Sequence, residues 1–391
     1  MNTLVTLLKA LNRLIPKDEN QVVFSSSPNT LSDNPKALYD YMVLEFGGSY
    51  RLLWVVPGDK HDFYLKNSPF DVISTRGLKN GLKGMYQLFR SKYIVTSSND
   101  YTGLSSSNQI LVNLWHGMPL KGLGFLDNFE TQKSYIKKTW NADDFVISTS
   151  SLMRNTISAC FTLDPRKIYV TGQPRNDKLF QADGKENLSK ILQLDLSGYD
   201  KIVLYCPTYR VWGDRVEGKP KQQQILDFDD FDEDVFNDFL RKENVLFLLK
   251  LHPLEEGYYT SKFKSHTNIK LLISQQLSSQ FMDLYDILNS VDVLVTDYSF
   301  VYFDFMLLER PTLFTPTDIK EYSKRGFTLE PYDFWAPGPK ATNFKDFIRE
   351  LECCIDDPDY YGTERRMVND LVNTHKDDKS CQRVYDLVFR N

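Results

Sequence analysis

Apolar residues in this chain gather in short runs bounded by Ser, Gly and Asn, with helical or turn-rich segments between them. The first half holds "QVVFSSS", "RLLWVV", "FDVIST", "YIVTSS", "ILVNLW", "FVISTS" and "KIYVTG", alternating with helical patterns such as "SLMRNTISACF". Their length and β-branched content predict strands of a mainly parallel sheet. A polar, turn-rich stretch follows, "FQADGKENLSKILQLDLSGYDK", and then a second set begins. It reads as strand "KIVLYC", helix "EDVFNDFLRK", strands "VLFLLKL" and "IKLLIS", helix "MDLYDILNS", strand "VDVLVTD", helix "YFDFMLLE" and strand "PTLFT". The pattern predicts an α/β chain of two doubly wound domains, 21–178 and 195–345, facing each other across a cleft. Residues 1–20 form an amphipathic helix ahead of them. Residues 346–391 add helices, "FKDFIRELECCI" and "RVYDLVF", which cap the second domain or cross back to the first.

Composition narrows the class. With 391 residues, 41% hydrophobic and 25% charged, this is a soluble globular composition. A net charge of −5 and a pI near 5.7 argue against a surface built for nucleic acid, so any anion is bound locally. Cys160, Cys206, Cys353, Cys354 and Cys381 form no CxxC pair and no zinc spacing, which predicts a reduced compartment and no metal framework. No apolar stretch reaches the ~20 residues that span a bilayer. The N-terminal "MNTLVTLLKALNRLIPK" sets Leu4, Leu7, Leu8, Leu11, Leu14 and Ile15 on one face, with Lys9, Arg13 and Lys17 elsewhere. Such a helix either packs on its own domain, the reading favoured by sequence alone, or lies on an anionic membrane surface.

Candidate chemistry collects just past the strands. Two of the five histidines stand there, His116 in "LWHGMP" and His252 in "LKLHP", one per predicted domain. Imidazole titrates near neutrality, which suits it to take a proton from a hydroxyl or donate to a phosphate oxygen. The second domain adds Thr208 and Arg210 in "YCPTYR", and Thr296, Asp297 and Ser299 in "VTDYSF". Hydroxyls and unpaired N–H groups at a helix N-terminus make an anion site, although Asp297 and Ser299 are also good helix caps. Together these residues predict a diphosphate cradle without a Walker or GxGxxG motif. Arg175, Asn176 and Asp177 in "TGQPRND" are either substrate contacts or a polar turn between domains. The acidic run "DFDDFDED" reads as a solvated loop and helix start, and Met306 and Phe303 read as core.

Taken in order, "SDNPKALYDYM", "LWHGMPLKGLG", "VTGQPRND", "YCPTYR", "LKLHP" and "VTDYSFVYFDFMLLERPTLF" resemble the CDP-glycerol glycerophosphotransferase family of teichoic acid primases and polymerases, from about residue 22 to residue 316. The resemblance implies a GT-B fold, with an N-terminal Rossmann-like acceptor domain and a C-terminal one that binds the CDP donor. It implies transfer of glycerol phosphate from CDP-glycerol to a hydroxyl of an undecaprenyl-diphosphate-linked saccharide, at the cytoplasmic face of the membrane, with release of CMP. It makes His116 the base, and His252 with Arg210 the binders of the donor diphosphate. Thr208, Thr296, Ser299 and Asp304 fall on donor-site positions, and Gly117, Asp297, Arg175, Asn176 and Asp177 complete the expected substrate contacts. No resident cofactor is expected, although a weakly bound Mg²⁺ fits the chemistry, and no nucleic acid is expected as partner. Met118, Tyr209 and Phe300 depart from common family residues, threonine, tryptophan and serine. These departures leave CDP-ribitol as an alternative donor, since ribitol phosphate transferases share the motifs.

Overall fold

A computed structural model describes residues 3–26, 31–77, 80–212, 215–216, 226–259 and 266–390. The apolar runs of the first half form one parallel sheet: β1 (Asp18–Ser25), β2 (Arg51–Val55), β3 (Val72–Ile73), β4 (Ser91–Thr96), β5 (Ile110–Asn113), β6 (Phe145–Ser148) and β7 (Ile168–Val170). Their order is β3-β2-β1-β4-β5-β6-β7. The second half begins with β8 (Lys201–Tyr205) and a small antiparallel ribbon of β9 (Val211–Trp212) and β10 (Arg215–Val216). It continues with β11 (Val245–Leu249), β12 (Ile269–Leu271), β13 (Val293–Thr296) and β14 (Thr312–Phe314), forming a second parallel sheet ordered β12-β11-β8-β13-β14.

The central strands are buried on both faces. Val22, Val23 and Phe24 of β1 and all five residues of β11 are 0% exposed, which is why these segments read as unbroken apolar runs. Each such Val, Leu or Phe contributes about 1.5–3 kcal/mol by leaving water. Strand addition reverses direction between β1 and β4 in the first sheet, and between β8 and β13 in the second. The connections leaving those neighbouring strands diverge to opposite sides, and the crevice at their carboxyl ends is where open α/β sheets bind ligands.

Two segments differ from the sequence expectation, and a third takes both courses it left open. The stretch read as polar and turn-rich contains a helix, Gly184–Leu192, capped by the Asp183 carboxylate. Its Leu188 and Ile191, one turn apart, are buried against the second sheet's core. "MDLYDILNS" forms two single 3₁₀ turns, Leu284–Asp286 and Leu288–Ser290, because the Asp283 carboxylate takes the Tyr285 N–H and its own N–H donates to Asp286. The C-terminal helices divide: Phe344–Asp356 joins the core of the second sheet, whereas Ser380–Val388 returns to the first, with Tyr385 stacked on Phe46 at 3.9 Å.

Other expectations meet plain facts. None of the five cysteines forms a disulfide. In the acidic run, Asp232 caps helix Glu233–Lys242, and Asp230 accepts the Phe344 N–H. Among the described residues, no three or more His, Cys, Asp and Glu side chains gather as a metal site.

Candidate active site

The turn after β5 is built to present His116. Trp115 ahead of it sits at φ +50°, a left-handed conformation that is strained for a bulky residue. Asn34 holds that turn: its Nδ2 donates to the Leu114 and Trp115 carbonyls at 3.0 and 2.9 Å. Asn113 Oδ1 accepts the Trp115 N–H at 3.0 Å. The "SDN" and "LVNLWH" segments are thus two parts of one clamp.

His116 Nδ1 lies 2.8 Å from the carbonyl of Ser97, just past β4. A carbonyl can only accept, so Nδ1 carries the proton and Nε2 keeps its lone pair. Burial pushes the imidazole pKa below its ordinary value, and the Asp33 carboxylate offsets this only in part. A neutral imidazole with a fixed tautomer is a base ready to accept a proton.

On the other side, an open pocket of about 310 Å³ lies at the switch point of the second sheet. His252, Tyr209, Thr208, Ser299 and Phe300 line it, and Lys121 joins them from the first half. His252 stacks flat on Tyr209, centroids 4.0 Å apart at 12°. Its Nδ1 accepts the Leu254 N–H at 3.4 Å, the reverse of the His116 arrangement, which leaves the proton on Nε2. Burial, then the Lys250 charge, pull its pKa down. His252 is thereby a neutral hydrogen-bond donor. His116 is not in the pocket wall, but the Phe300 ring bridges the two, 6.4 Å from the His116 ring.

Several predicted site residues have different partners. Arg210 is 3% exposed: its Nε and Nη2 bind the Asp318 carboxylate, both at 3.1 Å, and Nη2 also binds Asp297 at 2.8 Å. Tyr298 and Tyr322 flank the guanidinium at 5.1 and 4.9 Å. Burial alone would lower its pKa, but the two carboxylates raise it. Arg210 is therefore a buried brace, its guanidinium held by two carboxylates. Asp297 is occupied as well, accepting from the Thr208 N–H and hydroxyl at 2.8 and 2.7 Å and from the Tyr298 N–H. The Thr296 hydroxyl donates to the Cys206 carbonyl, and Thr296 is fully buried. Ser299 and Thr208 keep their places in the pocket wall.

Arg175, Asn176, Asp177 and Asp304 likewise form an internal tether instead of a substrate face. Arg175, 4% exposed, donates to Asp33 at 2.7 Å, to the His116 carbonyl at 2.8 Å and to Asp304 at 2.8 Å, and lies over the Tyr285 ring. Asp304 also accepts from Asn176 at 2.9 Å and from the Tyr285 hydroxyl at 2.6 Å. The Asp177 oxygens take the Ser380 and Cys381 N–H groups, capping the returning C-terminal helix. The backbone of the His116 turn is thereby tied to the second half through a single guanidinium. Gly117 is required by the same seam: a Cβ there would lie 2.5 Å from two carbons of the Phe300 ring.

Sequence reading missed Asp33, Tyr285 and Asp318 as the partners of these arginines. Asp33 carried a signal, since it lies in the "SDNPK" motif; Tyr285 and Asp318 carried none.

Comparison with known proteins adds the kin of the whole chain. A family model described as CDP-glycerol:poly(glycerophosphate) glycerophosphotransferase matches residues 7–390. The chain is 30% identical over 358 residues to the teichoic acid poly(glycerol phosphate) polymerase of Bacillus spizizenii, covering 86% of this chain and 84% of that protein. It is 27% identical to the teichoic acid glycerol-phosphate transferase of Staphylococcus aureus, covering 100% of this chain and 97% of that one. In fold it is similar to the wall teichoic acid polymerase TagF, with a TM-score of 0.80 at 24% identity over 99% of this chain and 92% of that chain.

Proposed function

The chain belongs to the CDP-glycerol:poly(glycerophosphate) glycerophosphotransferase family, and from that premise we propose that it transfers glycerol phosphate from CDP-glycerol to a hydroxyl of a lipid-linked saccharide acceptor. The two sheets are read as the facing Rossmann-like units of a GT-B enzyme. The acceptor oxygen attacks the β-phosphorus, the bond from that phosphorus to the bridging oxygen breaks, and CMP leaves. His116 Nε2 takes the acceptor proton. His252 Nε2–H, the Ser299 hydroxyl and the Lys121 ammonium face the diphosphate, where donors aimed at developing phosphoryl charge lower the barrier. Arg210, Asp297 and Asp304 act through the frame, not on substrate. A Mg²⁺ arriving with the donor diphosphate remains compatible with this scheme.

The observation that carries the reading is the His116 tautomer, locked by the Ser97 carbonyl beside a pocket at the sheet's switch point. The test is CMP release by purified protein offered CDP-glycerol, CDP-ribitol or a UDP-sugar with a lipid-linked saccharide. Acceptor-dependent CMP from CDP-glycerol supports the reading. Turnover of the UDP-sugar alone, or of nothing, refutes it.

On this reading the lipid-linked acceptor draws the enzyme to the cytoplasmic face of the membrane. No helix among the described residues is long and apolar enough to cross a bilayer. The N-terminal helix Thr3–Leu14 packs on its own domain along one side and leaves apolar side chains exposed on the other. Asn12, 1% exposed, anchors it to Leu104 and Gln109, while Leu4, Leu7, Leu11 and Leu14 stand 46–79% exposed. Leu82 adds to the exposed apolar surface at 85%. Leu7→Asp with Leu11→Asp should release the protein from anionic vesicles in a flotation assay, and unchanged flotation would confine that helix to packing.

A further inference from the structure

Phe300 occupies the seam between the proposed base and the donor pocket. It immediately precedes helix Val301–Phe305, at φ −69° and ψ −1°. Its ring fills the space a Gly117 side chain would need, with two ring carbons 2.5 Å from the position of that missing Cβ. The ring stands 6.4 Å from that of His116 and also lines the pocket that holds His252, Tyr209 and Ser299. Chemistry fixes where the transferred group must pass. The β-phosphorus has to meet an oxygen held by His116 while the diphosphate rests against His252 and Ser299. The polyol on that phosphorus therefore runs along the seam, beside the Phe300 ring.

We infer that Phe300 is the residue that sets polyol length, passing the three-carbon glycerol phosphate and rejecting the five-carbon ribitol phosphate. A phenyl ring offers no hydrogen-bond partner, so each further hydroxyl pressed against it loses its water without replacement. The ring has little room to retreat toward the first half, because it already fills the space where a Gly117 side chain would stand. A small side chain leaves room for both the longer chain and its water. This inference rests on the CDP-polyol reading above.

The experiment compares kcat/KM for CDP-glycerol and CDP-ribitol, with one acceptor, in the wild type, Phe300→Ser and Phe300→Leu, with thermal melting of each as a check on folding. The wild type is expected to favour CDP-glycerol. Phe300→Ser should move the glycerol-to-ribitol ratio at least about tenfold toward ribitol, the scale on which pocket size discriminates substrates. Phe300→Leu, which keeps an apolar group against Gly117, should move it less and serves if the serine variant does not fold. An unchanged ratio in the folded variants, or a wild type that prefers CDP-ribitol, would overturn the inference. Silence of the wild type with both donors is a different result, and it would overturn the functional reading and this inference with it.

Discussion

His116 and His252 begin from the same place in their sheets and end in opposite states. Each follows a strand in a tight turn, and burial draws each pKa below the ordinary imidazole value. What separates them is the partner of Nδ1. In the first half it meets a carbonyl, which leaves Nε2 as a lone pair. In the second half it meets an N–H, which leaves Nε2 as a donor. The same side chain is made a base in one turn and a hydrogen-bond donor in the other, by one backbone group apiece. The supports differ too. His116 rests on a strained turn whose carbonyl is held by Arg175, whereas His252 is steadied by the face of Tyr209.

The largest expected effect tests this contrast directly. Glutamine can donate a hydrogen bond but cannot act as a base near neutrality. His116→Gln should lower kcat by roughly 10²- to 10⁴-fold, the usual worth of a general base, with CDP-glycerol binding retained in calorimetry. His252→Gln should keep most of the donor affinity that His252→Ala loses. Equal losses in the two glutamine variants would erase the distinction between the roles.

The pH profile sharpens it further. A base works only when deprotonated, so kcat/KM should rise with pH through the His116 pKa, which lies below the ordinary value of about 6.5, and then level off toward neutrality. Protonating His252 adds charge to a group that already donates, so the acid limb should have a slope of one. A slope of two would mean that His252 must also be neutral to work.

The smallest effect concerns the stack. Replacing Tyr209 by Leu removes an aromatic pairing worth about 0.5–1.5 kcal/mol, so donor KM should rise by roughly two- to tenfold while kcat holds. A fall in kcat alone would place Tyr209 in the chemical step.

How far the sequence reached can be judged from particular residues. The strand pattern was legible because both faces of these parallel sheets are covered, so strands such as Val245–Leu249 need no polar alternation. The placement of His116, His252 and Ser299 past strand ends was legible because an apolar run that stops at a turn marks where a strand ends. The partners of Arg210 were not legible, since a cation after a strand looks the same whether it faces a phosphate or a carboxylate. The deciding Asp318 lies 108 positions away, and Asp304 lies 129 from Arg175. The helix Gly184–Leu192 was hidden by its polar residues, because Leu188 and Ile191 acquire meaning only when the second sheet's core is there to bury them.

The chain's own pattern determined the strands, their parallel kind and the residues that stand at their ends, because burial on two faces and the turn that follows are local demands on side-chain type. Tertiary structure alone decided which of those residues face the cleft. It joined Arg210 to Asp297 and Asp318, joined Arg175 to Asp33 and Asp304, and gave His116 a carbonyl where His252 received an N–H. A buried charge or ring nitrogen takes its state from the partner that replaces water, and that partner comes from a distant part of the chain.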